Sequence, residues 1–151
     1  MSRIIGVIYS VVVPGLDEKH YDLIFTDDKL IAVYLGEYAR VSSQTGLPIK
    51  SDLQVYRILK KKRERKYKEE DLKHLCKEKE NIVIPYTELS LIKIKKSTSP
   101  HTKRMKDKEG KHEFVELILR TNRGLFDFKV SIKAYDLLKR MVNYVDRVKG
   151  I

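Results

Sequence analysis

The sequence predicts an α+β fold in which seven β-strands are followed by one C-terminal amphipathic helix. The first observation is a series of short β-branched and aromatic runs separated by turn residues, most clearly the hairpin 21–34, which turns at Asp27-Asp28. The second is an apolar stripe at helical spacing in residues 131–149. The third is a long, Lys-rich stretch between the third and fourth strands, which indicates a helical insertion.

The strands are predicted from alternating apolar residues bounded by turn signals. Pro14-Gly15 ends the first strand, and Asn122-Arg123-Gly124 turns the last hairpin because Gly permits a positive φ. The predicted strands cover residues 3–13, 21–26, 29–34, 81–86, 89–94, 112–121 and 125–130.

The helices are predicted from capping residues and apolar spacing. In the insertion, placed at 36–80, Ser51 begins one helix through a capping box, and the carboxylates of 69–71 begin a second. Ser131 caps the C-terminal helix 131–149, and Lys149-Gly150 ends it. The apolar stripe of that helix contains Tyr135, Leu138, Val142, Val145 and Val148.

Length and composition predict one domain spanning 1–151. The single cysteine, Cys76, cannot form an internal disulfide, which favours a reducing, cytoplasmic location. Charged residues make up 35% of the chain, and Lys and Glu dominate them, a balance typical of heat-adapted proteins.

The net charge of +11 is concentrated in two segments. Residues 57–79 hold eleven cations against five carboxylates, and residues 93–112 hold eight against two, so each segment carries +6. The polar stretch 95–111 is predicted to be a projecting basic loop. The predicted polyanion-binding cations are Lys60, Lys61, Lys62, Arg63, Arg65, Lys66, Lys68, Lys95, Lys96, Lys103, Arg104, Lys106 and Lys108.

No spacing in the chain indicates catalysis, a metal or a cofactor. The four histidines and Cys76 lack the paired spacing of a zinc site, and no phosphate-binding Gly-rich loop is present. Asp27-Asp28 is the favoured residue type for a turn, so we interpret it as the hairpin turn. We therefore predict a protein that is not an enzyme and that has no cofactor.

Three runs carry a resemblance to a known family: 23–31, with Thr26-Asp27 before a basic residue; 84–89, which begins Ile-Pro-Tyr; and 117–128, with Thr121, Gly124 and two phenylalanines. Together they resemble bacterial pleckstrin-homology-like and GRAM-type domains. The resemblance implies a seven-stranded bent barrel or sandwich closed at one end by the C-terminal helix, with 36–80 as an insertion between strands three and four.

The resemblance also bears on the ligand. Phosphoinositide-binding members carry several cations in the loop after the first strand, whereas the corresponding loop here, 14–20, has Asp17 and Glu18 against Lys19. A phosphoinositide is therefore disfavoured.

Three functions are compatible with these features. The first is a non-enzymatic interaction module that binds a protein partner, with the basic segments adding electrostatic attraction. The second is sequence-independent nucleic-acid binding through the basic helix and loop, which would weaken steeply with salt. The third is attachment to an anionic membrane surface, which lacks the usual accompanying apolar face.

Overall fold

A computed structural model describes residues 2–14, 17–39, 66–96 and 114–149. Seven antiparallel strands and two helices make up these ranges. The strands are β1 (Ile4–Val13), β2 (Asp17–Thr26), β3 (Lys29–Ala39), β4 (Ile82–Pro85), β5 (Leu89–Lys96), β6 (Phe114–Thr121) and β7 (Gly124–Ser131), and the helices are α1 (Leu72–Lys77) and α2 (Tyr135–Lys149). Short 3-10 turns at Glu69–Asp71, Tyr86–Glu88 and Ile132–Ala134 precede α1, β5 and α2. The predicted α+β fold with seven strands is confirmed.

The strands form one sheet in the order β4-β3-β2-β1-β7-β6-β5. Strands β4 and β5 therefore lie at the two ends of the sheet, and within the described ranges they do not pair. The turn Tyr86–Glu88 connects them. Arg123, at the β6–β7 turn, bridges the gap, because its guanidinium donates to the Val83 carbonyl of β4 and lies 3.1 Å from Glu88.

The main core lies between the inner face of the sheet and helix α2. Leu138, Met141, Val142 and Val145 of α2 are buried there against apolar side chains from all seven strands. The helix crosses close to β1 at Gly6, where an added Cβ would lie 2.8 Å from the Met141 sulfur. Gly6 therefore permits the helix to approach the sheet closely.

A second, smaller core covers the outer face of the first strands. Leu72 and Leu75 of α1 pack there with Ile24, Ile31 and Val33 of β2 and β3. The helix predicted to begin at 69–71 is thus present as a 3-10 turn that continues into α1. The predicted helix at 51–59 and the predicted loop residues 97–111 lie outside the described residues.

Strands β2, β3 and β5 are longer than the sequence pattern predicts. Lys95 and Lys96 were expected to begin the basic loop, but they end β5 because they pair with Glu116 and Val115 of β6. Strand β2 begins at Asp17, and β3 continues to Ala39, because residues 17–20 pair with β3. Lys19 also faces Val13 of β1 and Glu37 of β3. Backbone pairing on both sides imposes strand structure on a polar run that has no apolar alternation.

The end of α2 also differs from the prediction. Val148 was expected in the buried stripe, but it is 49% exposed. It lies in the last turn of the helix, beside a shallow depression lined by Tyr86 and Thr87. The stripe prediction was wrong at this residue because the periodicity continues beyond the part of the helix that the sheet covers. No helix in the described ranges is long and apolar enough to cross a membrane.

Candidate interaction surfaces

Four of the thirteen predicted polyanion-binding cations lie in the described ranges. They are Lys66, Lys68, Lys95 and Lys96, and all four are exposed. The remaining nine lie outside the described residues: Lys60, Lys61, Lys62, Arg63, Arg65, Lys103, Arg104, Lys106 and Lys108.

The four described cations belong to two different parts of the fold. Lys66 and Lys68 flank Tyr67, which packs with the small core outside β2 and β3. Lys95 and Lys96 end β5, the strand at the far end of the sheet order from β4. Each pair must therefore be considered with its own neighbours.

Cations are concentrated in β5 and in the C-terminal helix that packs against it. Residues 89–96 and 132–149, called here the β5–α2 surface, hold eight cations and two carboxylates, a net charge of +6. The other described residues hold eleven cations and fourteen carboxylates, a net charge of −3. The cations of the β5–α2 surface are Lys93, Lys95, Lys96, Lys133, Lys139, Arg140, Arg147 and Lys149, of which all but Lys149 are exposed.

Among the strands that the structure describes, none pairs with the outer edge of β5 in the β5–α2 surface. In the sheet order, β5 has β6 on one side only. Helix α2 packs against β5, and its last residue, Lys149, donates from its ammonium to the Leu89 carbonyl. The edge strand is thus held at its beginning by the helix and carries three exposed lysines towards its end.

The charged row beginning at Lys95 continues inward across the sheet. Lys95 faces Glu116 of β6, and Glu116 faces Lys129 of β7. Glu116 and Lys129 form an ion pair at only 7% and 3% exposure, and the Asp127 carboxylate lies 3.6 Å from the Lys129 ammonium. Burial, followed by repulsion from Lys95, lowers the pKa of Lys129, and burial raises the pKa of Asp127 against an opposing attraction from Lys95. The exposed end of this row, at Lys95, is therefore cationic. In its buried part, the charge of Lys129 is paired with the carboxylate of Glu116.

Two tyrosines on the outer face of the sheet form a stacked pair above a buried carboxylate. The Tyr9 and Tyr67 rings have centroids 6.4 Å apart and an interplanar angle of 21°. The Tyr67 hydroxyl donates to Asp22 Oδ2 at 2.6 Å, and the Ser10 amide donates to Asp22 Oδ1 at 2.9 Å. Asp22 is fully buried, whereas Tyr9 is 43% exposed. In the sequence, Tyr67 stands among the cations of 57–79. The available signal for Tyr9 was an aromatic residue followed by polar Ser10 inside an apolar strand.

The Asp27-Asp28 pair is confirmed as a turn. Thr26 Oγ1 accepts the Lys29 amide at 2.9 Å, and its one hydroxyl proton lies within hydrogen-bonding distance of both the Lys29 carbonyl and the Asp28 carboxylate, which closes the turn. Burial acts to raise the pKa of Asp28, but hydrogen bonds from Ser2 and Thr26 outweigh it and hold the pKa below its usual value. Asp27 in turn accepts the Arg3 amide at 3.1 Å. Both carboxylates therefore organise the hairpin and the N-terminal segment.

The histidines and the depressions of the described surface do not converge on a chemical site. His74 lies 3.3 Å from Glu78 on the exposed side of α1, and His101 and His112 lie outside the described residues. Within the ranges that the structure describes, no group of three or more His, Cys, Asp or Glu side chains is placed to hold a metal ion. A depression of about 560 Å³ beside α1 has cations and carboxylates mixed along its rim, including Lys73 and Glu70.

Comparison with known proteins adds one structural neighbour. No protein-family model and no curated protein matches the sequence. Among solved structures, the chain is similar to the C-terminal domain of an unknown protein from Leishmania infantum, at 10% identity and a TM-score of 0.46, over 95% of this chain and 84% of that one.

Proposed function

We propose that this protein is a non-enzymatic interaction module of the pleckstrin-homology-like type that binds an acidic, extended segment of a protein partner. The binding surface in this proposal is the β5–α2 surface. The observation that carries it is the coincidence of two features: an edge of β5 that no described strand covers, and a net charge of +6 where the other described residues carry −3.

The order of the elements supports the pleckstrin-homology-like part of the proposal. Four strands in a meander, β1 to β4, are followed by a three-strand meander, β5 to β7, and then by an amphipathic helix on the inner face. The 3-10 turn and Arg123 hold the two ends of the sheet near each other. This is the arrangement expected of a bent sheet whose opening is covered by the last helix.

The lysines of β5 support an acidic partner segment. If two copies of the chain paired β5 against β5, Lys93, Lys95 and Lys96 would face like charges, which destabilise a strand pair. A strand that carries carboxylates would meet attraction on the same edge. Backbone hydrogen bonds would supply affinity, and the alternating lysines would select for acidic side chains.

Titration of the ¹⁵N-labelled protein with a synthetic peptide tests this proposal. The probe is an acetylated peptide of about eight residues that alternates Glu and Val, the length of a typical strand. We expect amide shifts confined to β5 and α2, increased protection of β5 amides from exchange, and weaker binding at high salt. A matched peptide that alternates Lys and Val should not bind.

Two charge-reversal variants distinguish specific binding at the β5–α2 surface from non-specific attraction by the net charge of the protein. Lys93→Glu with Lys96→Glu should abolish the shifts, while Lys73→Glu with Lys77→Glu, on exposed positions of α1, lowers the net charge equally and should leave binding close to that of the wild type. Equal loss in both variants, or peptide shifts centred outside β5 and α2, would refute docking at the β5–α2 surface.

A further inference from the structure

A second binding site is indicated on the outer face of the sheet, away from the β5–α2 surface and independent of the docking proposed for it. We propose that Tyr9, supported by Tyr67 and Asp22 and flanked by Lys66 and Lys68, is a stacking platform for single-stranded nucleic acid. A base would stack on the exposed Tyr9 ring, and the two lysines would contact the adjoining phosphates.

The exposure of Tyr9 is the first step of the argument. Few large apolar side chains in the described ranges are as exposed as Tyr9, at 43%, although Val7, two residues earlier in the same strand, packs against the small outer core. Tyr67 stacks on the ring, and 43% of the Tyr9 residue is exposed to solvent. An aromatic ring held in this way offers a π-surface on which any base can stack.

The second step is that the platform is rigid. Tyr67 cannot rotate away without breaking its 2.6 Å hydrogen bond to the fully buried Asp22. The same carboxylate receives the amide of Ser10, the residue after Tyr9, which has a φ of +58°. Asp22 thus fixes both halves of the platform through one buried group, so little conformational entropy would be lost when a base binds.

The third step is the charge beside the rings. Lys66 and Lys68 are exposed and adjoin Tyr67 on both sides in the chain. The depression beside Tyr67 and Lys68 also holds the carboxylates Glu70, Asp71 and Glu78. Asp71 accepts the Lys68 amide at 3.1 Å, and Glu69 accepts the Ile4 amide at 3.3 Å, so these two are engaged in backbone hydrogen bonds. Cations next to an aromatic surface are the combination by which proteins hold single strands without sequence preference.

Fluorescence anisotropy with the full chain tests the proposal. The probes are fluorescein-labelled oligothymidylate and oligouridylate of about 12 nucleotides, a length that single-strand-binding domains cover. Tyr9→Leu should weaken binding by roughly five- to a hundred-fold, the effect of losing one base stack. Tyr9→Phe keeps the ring and should bind within about two-fold of the wild type. The oligonucleotide that binds more tightly identifies DNA or RNA as the source of the ligand.

Salt dependence and a duplex probe separate stacking from general attraction. Tyr9→Leu should leave the slope of log K against log salt unchanged, whereas Lys66→Gln with Lys68→Gln should make it shallower by about 0.7 for each lost contact. Binding of a duplex of the same length should not respond to Tyr9→Leu, since its base faces are already stacked. Thermal unfolding of each variant verifies that it is folded.

Three results would overturn the proposal. They are an absence of single-strand binding by the wild type at low salt, unchanged binding by folded Tyr9→Leu, and equal losses for single-stranded and duplex probes. Tyr67→Phe provides a test of positioning: it retains the ring but not the bond to Asp22, and it should give a smaller loss of affinity than Tyr9→Leu with an unchanged salt slope.

Discussion

Replacing Asp22 with Asn should destabilise the protein markedly although the two side chains have nearly the same shape. Asp22 is fully buried and accepts hydrogen bonds from Ser10 and Tyr67. Each bond to a charged group contributes about 1.5–3 kcal/mol, against about 1 kcal/mol for a neutral bond. In Asp22→Asn, the carbonyl oxygen of Asn can still accept the bond from the Ser10 amide. Its NH2 group would then face the Tyr67 hydroxyl, which would have to accept a hydrogen bond where it now donates one. We therefore expect Asp22→Asn to lower the free energy of unfolding by about 2 kcal/mol.

Urea unfolding combined with a double-mutant cycle measures this effect. Tyr67→Phe removes one hydrogen bond and should lower the free energy of unfolding of the wild type by about 1.5 kcal/mol. In the Asp22→Asn background the same change should lower it by clearly less, which corresponds to a coupling energy of about 1 kcal/mol. The melting temperature of Asp22→Asn should fall by about 4–8 °C for a chain of this size. Asp136→Asn, at an exposed position of α2, is the control and should change stability by less than about 0.5 kcal/mol. A coupling energy near zero would show that the carboxylate and the hydroxyl do not stabilise each other.

Three further perturbations probe other parts of the fold. Gly6→Ala places a Cβ 2.8 Å from the Met141 sulfur and should cost about 1 kcal/mol in thermal unfolding, because the flexible thioether can shift; a neutral result would contradict the close helix packing. Glu116→Leu leaves the Lys129 ammonium buried without its main partner and should lower the free energy of unfolding in urea by about 3 kcal/mol. Adding Lys129→Met should restore most of that loss. If the second change does not restore stability, the pairing of Glu116 with Lys129 is refuted. Burial raises the pKa of Tyr34 to about 12, so the folded state keeps this proton to higher pH than the unfolded chain. Its contribution is complete below pH ~10 and is lost as pH rises towards 12, and the urea midpoint of Tyr34→Phe should fall less steeply over that interval than that of the wild type.

The sequence could predict the parts of the fold that are determined locally. The turn at Asp27-Asp28 follows from side chains that bond their own backbone, and the turn at Gly124 requires a φ of +131° that Gly adopts readily. The face of α2 around Leu138 and Val142 follows from spacing along the chain. Each of these signals lies within a few residues of the feature it specifies.

The features that were missed depend on residues far apart in the chain. Asp22 and Tyr67 are 45 positions apart, and neither is unusual until the fold brings them together. Glu116 and Lys129 occupy outward positions of β6 and β7, where alternation predicts exposed charges, yet the surrounding structure buries both. The polar start of β2 forms a strand because strands on both sides pair with it. Pairing and burial of this kind are properties of the assembled sheet and leave little trace in local composition.

Shortening the connection between β5 and β6 tests whether its basic residues contribute to the stability of the fold or to polyanion binding. Lys96 faces Val115 across the β5–β6 ladder, so the strand ends are already adjacent, and five residues are enough for a hairpin loop. Deleting residues 97–108 leaves five of the seventeen connecting residues and lowers the net charge by three. Shorter loop closure should make the folded state more stable by about 1 kcal/mol, while affinity for polyanions should fall if Lys103, Arg104, Lys106 and Lys108 contribute to it. Urea unfolding of the deletion variant measures the first effect and the oligonucleotide titration the second. A loss of stability above about 2 kcal/mol would show that the deleted residues support the core, since a surface connection of this length costs little to shorten.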